Sequence, residues 1–343
     1  MELVILFGSF SVLLLIGMPI AFCLGVASLA TVLYMDVPPV VIFQQMNSGM
    51  NAFAMMAIPF FIYSGDLMIR GGIAERLIAF AASLVGHLRG GLGQVNVLTS
   101  TLFGGISGSA VADASAVGGL MIPQMVKRGY DADYAVNVTA NAAIIALLIP
   151  PSHNMIIYSL AAGGNLSIAD LFTAGIVPGL MLAASLMVAA YVVARRRGYP
   201  AEAFPGWLMV ARTLVVAIPG LLLIAIIFGG VRSGVFTATE SSCIAVVYAF
   251  FITVVVYRQL NWDNFVEATL GAVRTTAMVL LVIGTAAAFG WLMAFLQVPA
   301  QTVAFMKSVT NDPVTMLLLI NVILLFLGTF MDMAPMIIIL TPI

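Results

Sequence analysis

Long apolar segments separated by short polar ones form the pattern of this chain. A segment of about 20 apolar residues is needed to cross the hydrocarbon core of a lipid bilayer, which is roughly 30 Å thick. Segments of this kind occupy 3–34, 53–69, 134–160, 171–194, 207–230, 238–257 and 273–297. The pattern therefore predicts an all-α polytopic membrane protein.

Four other segments depart from this pattern. Positions 38–51 are amphipathic, and 75–89 holds two arginines, a glutamate and a histidine, so we place 75–89 along the membrane interface. Segments 92–125 and 311–343 are apolar but interrupted by Gly, Ser, Thr and Asp. We predict that each of these two forms a re-entrant helical hairpin that enters and leaves the membrane on one side.

Composition excludes several classes of protein. Only 8% of the 343 residues are charged, whereas a soluble protein carries about 25%. The net charge of −1 gives no reason to expect a nucleic-acid partner. The chain lacks the HExxH, CxxC, GxSxG and Walker A patterns, so we do not expect an enzyme. Transport by this chain would have to draw on an ion gradient or on a separate subunit.

Two charged motifs have structural interpretations. Basic residues accumulate on the cytoplasmic side, so we place Arg195–Arg197 inside and interpret this run as an orientation signal only. That choice also puts the N-terminus inside. Thr237 and Glu240, at the start of the span 238–257, predict the capped N-terminus of a helix.

An internal repeat relates the two hairpins. Asp332 follows Asp113 by 219 positions, and a proline follows each aspartate ten positions later. Five predicted spans separate the hairpins, so the second enters from the opposite side. This predicts inverted repeats, a common plan of secondary transporters. The repeat partners of 134–160 and 171–194 would lie beyond Ile343, so we expect a C-terminally incomplete chain lacking roughly 70–80 residues.

The first hairpin, with the sequence FGGISGSAVAD over 103–113, is the strongest candidate for a binding site. A break inside the membrane exposes backbone groups that only a cavity, an ion or a ligand can satisfy. Ser107, Gly108 and Ser109 suit the tip of such a hairpin, and Asp113 is an intramembrane carboxylate, which is a functional suspect by default. The alternative is close helix packing around a hydrogen-bonded aspartate.

A second candidate lies in the middle of 134–160. Pro150 and Pro151 lack backbone donors, so the helix must unwind there. Asn141, Ser152 and Asn154 supply neutral oxygen atoms near the break, which suit Na⁺. We expect Ser109, Asn141 and Ser152 to form one half of an ion and anion site. The alternative is a kinked helix whose polar side chains are satisfied internally.

Several motifs in order resemble one family. GGISGSAVADASAVGGLMIPQMVKRGYDADYA, IPPSHNMIIYS, GVFTATESS and GTFMDMAPMIIILTPI are similar to the large membrane subunit, of the DctM type, of tripartite ATP-independent periplasmic (TRAP) transporters. The resemblance implies the fold of the elevator-type ion transporter superfamily, with inverted repeats, re-entrant helical hairpins and broken helices. It implies sodium symport of an organic acid, such as a C4-dicarboxylate, across the bacterial inner membrane. It also implies a small membrane subunit of the Q type and a periplasmic solute-binding protein. Sodium-site roles then fall on Ser107–Ser109, Pro150–Ser152 and Gly328, Thr329 and Asp332.

The same interpretation divides the chain into four parts. Segments 1–91 and 171–310 would be scaffold helices and interfacial arms, whereas 92–170 and 311–343 would form the two halves of a transport domain. Na⁺ is the expected coupling ion, and no other cofactor is expected. The alternative function is a stand-alone ion-coupled antiporter or anion transporter that needs no binding protein.

Overall fold

A computed structural model describes residues 1–163, 166–331 and 333–342, and no β-strand occurs among them. The helices in these ranges are α1 (Glu2–Leu15), α2 (Ile20–Tyr34), α3 (Val40–Met50), α4 (Ala57–Arg70), α5 (Ile73–Val85), α6 (Gly91–Ser107), α7 (Ala110–Lys127), α8 (Ala132–Ala143), α9 (His153–Ala161), α10 (Ile168–Arg196), α11 (Trp207–Arg232), α12 (Ala238–Phe251), α13 (Trp262–Phe295), α14 (Val298–Val309), α15 (Pro313–Gly328) and α16 (Met333–Leu340). The all-α prediction is confirmed.

Five helical segments in the described ranges are long and apolar enough to cross a membrane. They are Phe53–Arg70, Ile168–Arg196, Trp207–Arg232, Ala238–Val256 and Trp262–Phe295. Each contains or closely overlaps a span predicted from the sequence, so the multi-pass architecture is confirmed. The predicted cap of α12 is also present, because the Thr237 hydroxyl accepts from the Glu240 N–H while the Glu240 carboxylate accepts from the Thr237 N–H.

The prediction of one span over 3–34 is wrong. Two helices, α1 and α2, form here and pack against each other. Gly17 ends α1 in the left-handed region, at φ +86°, and Pro19 then precedes the first turn of α2. Leu6 of α1 and Leu24 of α2 are fully buried in one apolar cluster. The orientation predicted for the N-terminus depended on a single crossing and therefore loses that support.

The chain divides into two compact units. The first comprises 1–55, 157–166 and 276–343, and the second comprises 56–156 and 167–275. The second unit contains the whole first hairpin and the break at Pro150. These units reflect compactness, whereas the predicted scaffold and transport domains concern motion, so the four-part division stays a prediction.

Helix α6 is the centre of the second unit. It packs against α4, α5, α7, α8 and α10, and most of its side chains are buried. Helix α5 packs against α6 and α11, which cover its apolar face, including the fully buried Leu77 and Ala81. The segment 75–89, which the sequence places along the membrane interface, therefore presents its apolar side to protein.

Arg197 has a structural role beyond orientation. Its guanidinium donates to both carboxylate oxygens of Asp133 at 2.9 Å and to Asp131 at 2.8 Å. The Tyr199 hydroxyl donates to Asp131 at 2.7 Å, and its ring packs against that of Tyr130 at a tilt of 40°. The hydrogen bonds from Tyr199 and Arg197 lower the pKa of Asp131, and the hydrogen bonds from Arg197 lower the pKa of Asp133. This network joins the end of α10 to the start of α8.

Candidate ion and solute site

The first hairpin reverses direction over three residues. Helix α6 ends at Ser107, Gly108 adopts the left-handed conformation at φ +59°, and Ser109 is extended. A residue with a Cβ atom pays about 1–2 kcal/mol in that left-handed region, so glycine suits the position. The Ser109 hydroxyl then accepts from the Ala112 N–H at 3.3 Å and caps α7. The predicted helical hairpin is therefore present, with Ser-Gly-Ser at its tip.

The break at the two prolines is also present. Helix α8 tightens into a 3-10 turn over Ile144–Leu147, and α9 begins only at His153. Neither Pro150 nor Pro151 can donate a backbone hydrogen bond, so the helix cannot continue through them. Ser152 is fully buried at the end of this break, and within the described ranges its hydroxyl has no hydrogen-bond partner.

The hairpin tip lies directly on the break. A Cβ atom added to Gly108 would lie 2.3 Å from the carbonyl oxygen of Pro151 and 3.3 Å from the Cα of Ser152. One added to Gly104 would lie 2.6 Å from the Cα of Ala146. Such distances leave no room for a side chain, so the glycines allow the two backbones to meet. The Ser107–Ser109 tip and the Pro150–Ser152 break are therefore in direct contact.

Oxygen atoms at this contact are weakly engaged. Ser107 is 3% exposed, and its hydroxyl lies 3.5 Å from both the N–H and the carbonyl oxygen of Ser109. Hydrogen bonds of that length are weak. The hydroxyls of Ser107 and Ser152 and the carbonyl of Pro151 are the type of oxygen that unwound transporter helices offer to Na⁺.

A cavity of about 420 Å³ reaches the hairpin tip. Its lining includes Ser107 and Ser109 of the tip together with Asp66 and Arg70 of α4. Helix α4 approaches the tip closely, since a Cβ atom on Gly65 would lie 3.5 Å from the Cα of Ser107. Arg70 forms an ion pair with Glu267 of α13.

Sequence reasoning missed Asp66 and Arg70. The segment 53–69 is predicted as an ordinary span from its apolar length alone, although it contains Asp66. Asp66 itself was the available signal. It is a carboxylate inside a predicted membrane helix, and such carboxylates, like Asp113, are candidate functional residues.

Asp113 lies inside the hairpin. Its side chain is fully buried, and neither carboxylate oxygen has a hydrogen-bond partner in the part of the chain that the structure describes. The hydroxyls of Thr99 and Ser100 on α6 are likewise buried and unpartnered there. A buried carboxylate without a hydrogen bond of normal geometry is costly, so Asp113, with the Ser100 side chain near it, is suited to a cation. Its role in ion binding stays a prediction.

Asn141 and Asn154 occupy different surroundings. Asn141 is exposed, donates to the carbonyl of Asn137 at 2.8 Å, and lines a groove between α8 and α10 that also includes Asp133 and Arg197. Asn154 is buried in the first turn of α9, two residues after Ser152. The structure therefore brings Ser109 and Ser152 to one contact, whereas Asn141 lines another groove.

The second hairpin is described in part. Helix α15 ends at Gly328, and the Thr329 hydroxyl donates to the carbonyl of Phe326 at 2.7 Å. Asp332 lies outside the described residues. The prediction that Gly328, Thr329 and Asp332 complete the ion site stays a prediction.

A multi-pass helical protein with a hairpin tip on a proline break has the parts of a secondary transporter. The family described as "Tripartite ATP-independent periplasmic transporter, DctM component" matches residues 7–343. The chain belongs to this family: it is a large permease component of a TRAP transporter, a multi-pass protein of the bacterial inner membrane, and not an enzyme.

Three relatives show how far this likeness extends. The uncharacterized protein YgiK of Salmonella typhimurium is 44% identical over 99% of this chain and 79% of its own length. The sialic acid TRAP transporter large permease protein SiaM of Vibrio cholerae is 40% identical over 96% of this chain and 77% of its own length. The C4-dicarboxylate TRAP transporter large permease protein DctM of Rhodobacter capsulatus is 35% identical over 100% of this chain and 81% of its own length.

Proposed function

We propose that this permease takes up an organic acid anion together with Na⁺. The contact between the Ser107–Ser109 tip and the Pro150–Ser152 break carries the proposal. This contact gathers buried hydroxyl and carbonyl oxygens where the chain leaves its helical conformation. Among the described residues, the Ser152 hydroxyl there has no hydrogen-bond partner. Such oxygens replace the hydration shell of a hard monovalent cation.

The anion class rests on the same hairpin. Helix α7 begins at the tip, and the N-terminus of a helix favours a carboxylate through its free N–H groups and its dipole. The names of two relatives give sialic acid and a C4-dicarboxylate as their solutes, and both are organic acids. We therefore propose an organic acid for this chain, with a C4-dicarboxylate as one member of that class.

We also propose two partners. The family description specifies a tripartite periplasmic transporter, which supports a periplasmic solute-binding protein and a small membrane subunit as the other two parts. The binding protein would deliver the solute at the periplasmic face, and the sodium gradient would drive its release into the cytoplasm.

Uptake into proteoliposomes tests this proposal. The full-length permease, reconstituted with its co-encoded small subunit, is expected to accumulate the organic acid carried by the co-encoded binding protein only under an inward Na⁺ gradient. An equal K⁺ gradient should give no accumulation. Equal uptake under both gradients would contradict sodium coupling. Sodium-driven uptake that is unchanged when the binding protein is omitted would favour the stand-alone transporter instead.

One variant locates the ion site. Ser152→Ala removes the buried, unpartnered hydroxyl and is expected to raise the Na⁺ concentration for half-maximal uptake. Ser185→Ala is the matched control, since Ser185 is a serine of α10 whose hydroxyl bonds to Leu182 of its own helix at 2.8 Å. If Ser152→Ala and Ser185→Ala titrate alike with Na⁺, this placement of the ion is wrong.

A further inference from the structure

We propose that the cavity at the hairpin tip holds the solute and that Asp66 makes it selective for monocarboxylates bearing hydroxyl or ammonium groups. This inference rests on the proposed uptake of an organic acid and narrows that class to monocarboxylates, so a C4-dicarboxylate would be a poor solute for this chain. It depends on the charges that face the cavity, which the neutral serines of the tip do not determine.

The carboxylate of Asp66 lines the cavity. In the described part of the chain it has no hydrogen bond and no ion pair within 4 Å, and Arg70, one helical turn later, acts on it only through its charge. Arg70 is instead paired with Glu267. A Cβ atom on Gly271 of α13 would lie 3.0 Å from Oδ2 of Asp66, so α13 closes one side of this carboxylate. Asp66 therefore faces the cavity with its hydrogen-bonding capacity unused.

The wall that carries Asp66 is fixed to its neighbour. Tyr63 of α4 and Thr269 of α13 share a hydrogen bond at 3.0 Å between their hydroxyls. The pair between Arg70 and Glu267 joins the same two helices one to two turns further along. These contacts hold α4 and the start of α13 together, so the position of Asp66 is set by packing.

The opposite wall suits a carboxylate. Ser109, Val111 and Ala112 line the cavity at the start of α7, which is 18 residues long. The Ala112 N–H donates to the Ser109 hydroxyl. The N–H groups of Ala110 and Val111 have no partner within the helix, and this first turn carries the positive end of the helix dipole. A solute carboxylate at this wall would lie beside the Ser109 tip, with the rest of the molecule directed toward α4.

The charges near α4 discriminate between solutes. Arg70 is already paired with Glu267, which lies outside the cavity lining, so the negative charge of Asp66 is left to repel a second negative charge on the solute. Hydroxyl or ammonium groups would instead donate to Asp66, while Ser115 and Thr275 in the same lining add further hydroxyls. The volume of about 420 Å³ is within the usual range for a small-molecule site.

Ligand stabilisation of the purified full-length permease tests this inference. In NaCl, D-gluconate, a polyhydroxylated monocarboxylate, is expected to raise the melting temperature at a concentration at least tenfold lower than glutarate, a dicarboxylate. Asp66→Asn should reduce that ratio about tenfold or more. Glu267→Gln should shift the ratio in the same direction and serves if Asp66→Asn does not fold. Asp170→Asn, an exposed carboxylate in the first turn of α10, is the control that should leave the ratio unchanged.

The outcomes separate this inference from the proposed function. If Na⁺ does not raise the melting temperature of the wild-type permease, the proposal of sodium coupling is wrong. Stabilisation by Na⁺ but by neither acid would overturn the cavity as the solute site. A wild-type preference for glutarate, or a ratio that Asp66→Asn and Glu267→Gln both leave unchanged, would overturn the role of Asp66 alone.

Discussion

Gly108 provides the sharpest test of the contact between hairpin and break. In Gly108→Ala, the new Cβ atom would lie 2.3 Å from the carbonyl oxygen of Pro151, whereas ordinary contacts are 3.4–4 Å. The tip and the break must then separate by about 1 Å, because close-packed interiors relax only by moving. The left-handed backbone adds about 1–2 kcal/mol for any residue with a Cβ atom.

The two contributions can be separated by a control. Gly129→Ala has the same backbone problem, with φ +85°, but nothing lies within 4 Å of the added Cβ atom. We expect Gly129→Ala to cost about 1–2 kcal/mol of folding stability and Gly108→Ala about 2–5 kcal/mol, since overpacking adds about 1–3 kcal/mol. The difference between the variants therefore isolates the contact with Pro151.

Denaturation and sodium titration provide the assay. Stability is measured by chemical denaturation of each purified variant in detergent, and Na⁺ affinity is measured from sodium-dependent uptake. Because a displacement of about 1 Å moves the site oxygens apart, we expect the half-saturating Na⁺ concentration to rise at least tenfold in Gly108→Ala only. Equal stability and equal Na⁺ affinity in Gly108→Ala and Gly129→Ala would refute the contact.

Three further predictions follow from other parts of the structure. Without Na⁺, Ser152→Ala should melt at or above the wild-type temperature, because the buried Ser152 hydroxyl makes no hydrogen bond in the described ranges. A marked loss of stability would show that this hydroxyl has a structural partner. Asp113→Asn should raise the melting temperature without Na⁺ and reduce stabilisation by Na⁺, and a destabilised variant with normal Na⁺ stabilisation would contradict this. Arg197→Gln should lower the melting temperature at pH 7 more than Arg196→Gln does. Since the pKa values of Asp131 and Asp133 are lowered in the fold, the stabilisation from these two carboxylates is complete above pH about 4 and is lost as the pH falls further. The difference in melting temperature between Arg197→Gln and wild type should therefore shrink below pH about 4. A difference that stays constant with pH would exclude the network as its cause.

Local sequence signals predicted both the hairpin tip and the proline break. The tip follows from Ser-Gly-Ser, in which glycine takes the left-handed position and serine caps the next helix. The break follows from two adjacent prolines, whatever surrounds them. Both features depend on neighbouring residues only, so the chain itself specifies them before any tertiary packing.

Features that depend on packing were harder to predict. Asn141 precedes Pro150 by more than two helical turns, and the packing of α8 leaves it exposed in the groove beside α10. Asp66 belongs to a helix that is apolar overall, and only the approach of Gly65 to Ser107 brings it to the hairpin tip. Spatial proximity between distant segments carries no local pattern, which explains both results.

The error at 3–34 has a different cause. The apolar run is long enough for one crossing, but Gly17 and Pro19 interrupt it with a helix end and a helix start. Hydropathy averages over a window and does not register these two residues. Gly-x-Pro within an apolar run would have indicated two helices.

Equilibrium stabilisation by cations tests the central claim, an ion site at the tip and the break, most directly. The melting temperature of the purified full-length permease is measured against NaCl at constant ionic strength, with KCl as the replacement salt. A ligand that binds only the folded state contributes about 2.7 kcal/mol at one hundred times its dissociation constant. We expect a saturable rise with Na⁺ in the wild type and in Ser185→Ala, and a much weaker one in Ser152→Ala. The same rise with K⁺ as with Na⁺, or an unchanged rise in Ser152→Ala, would contradict the account.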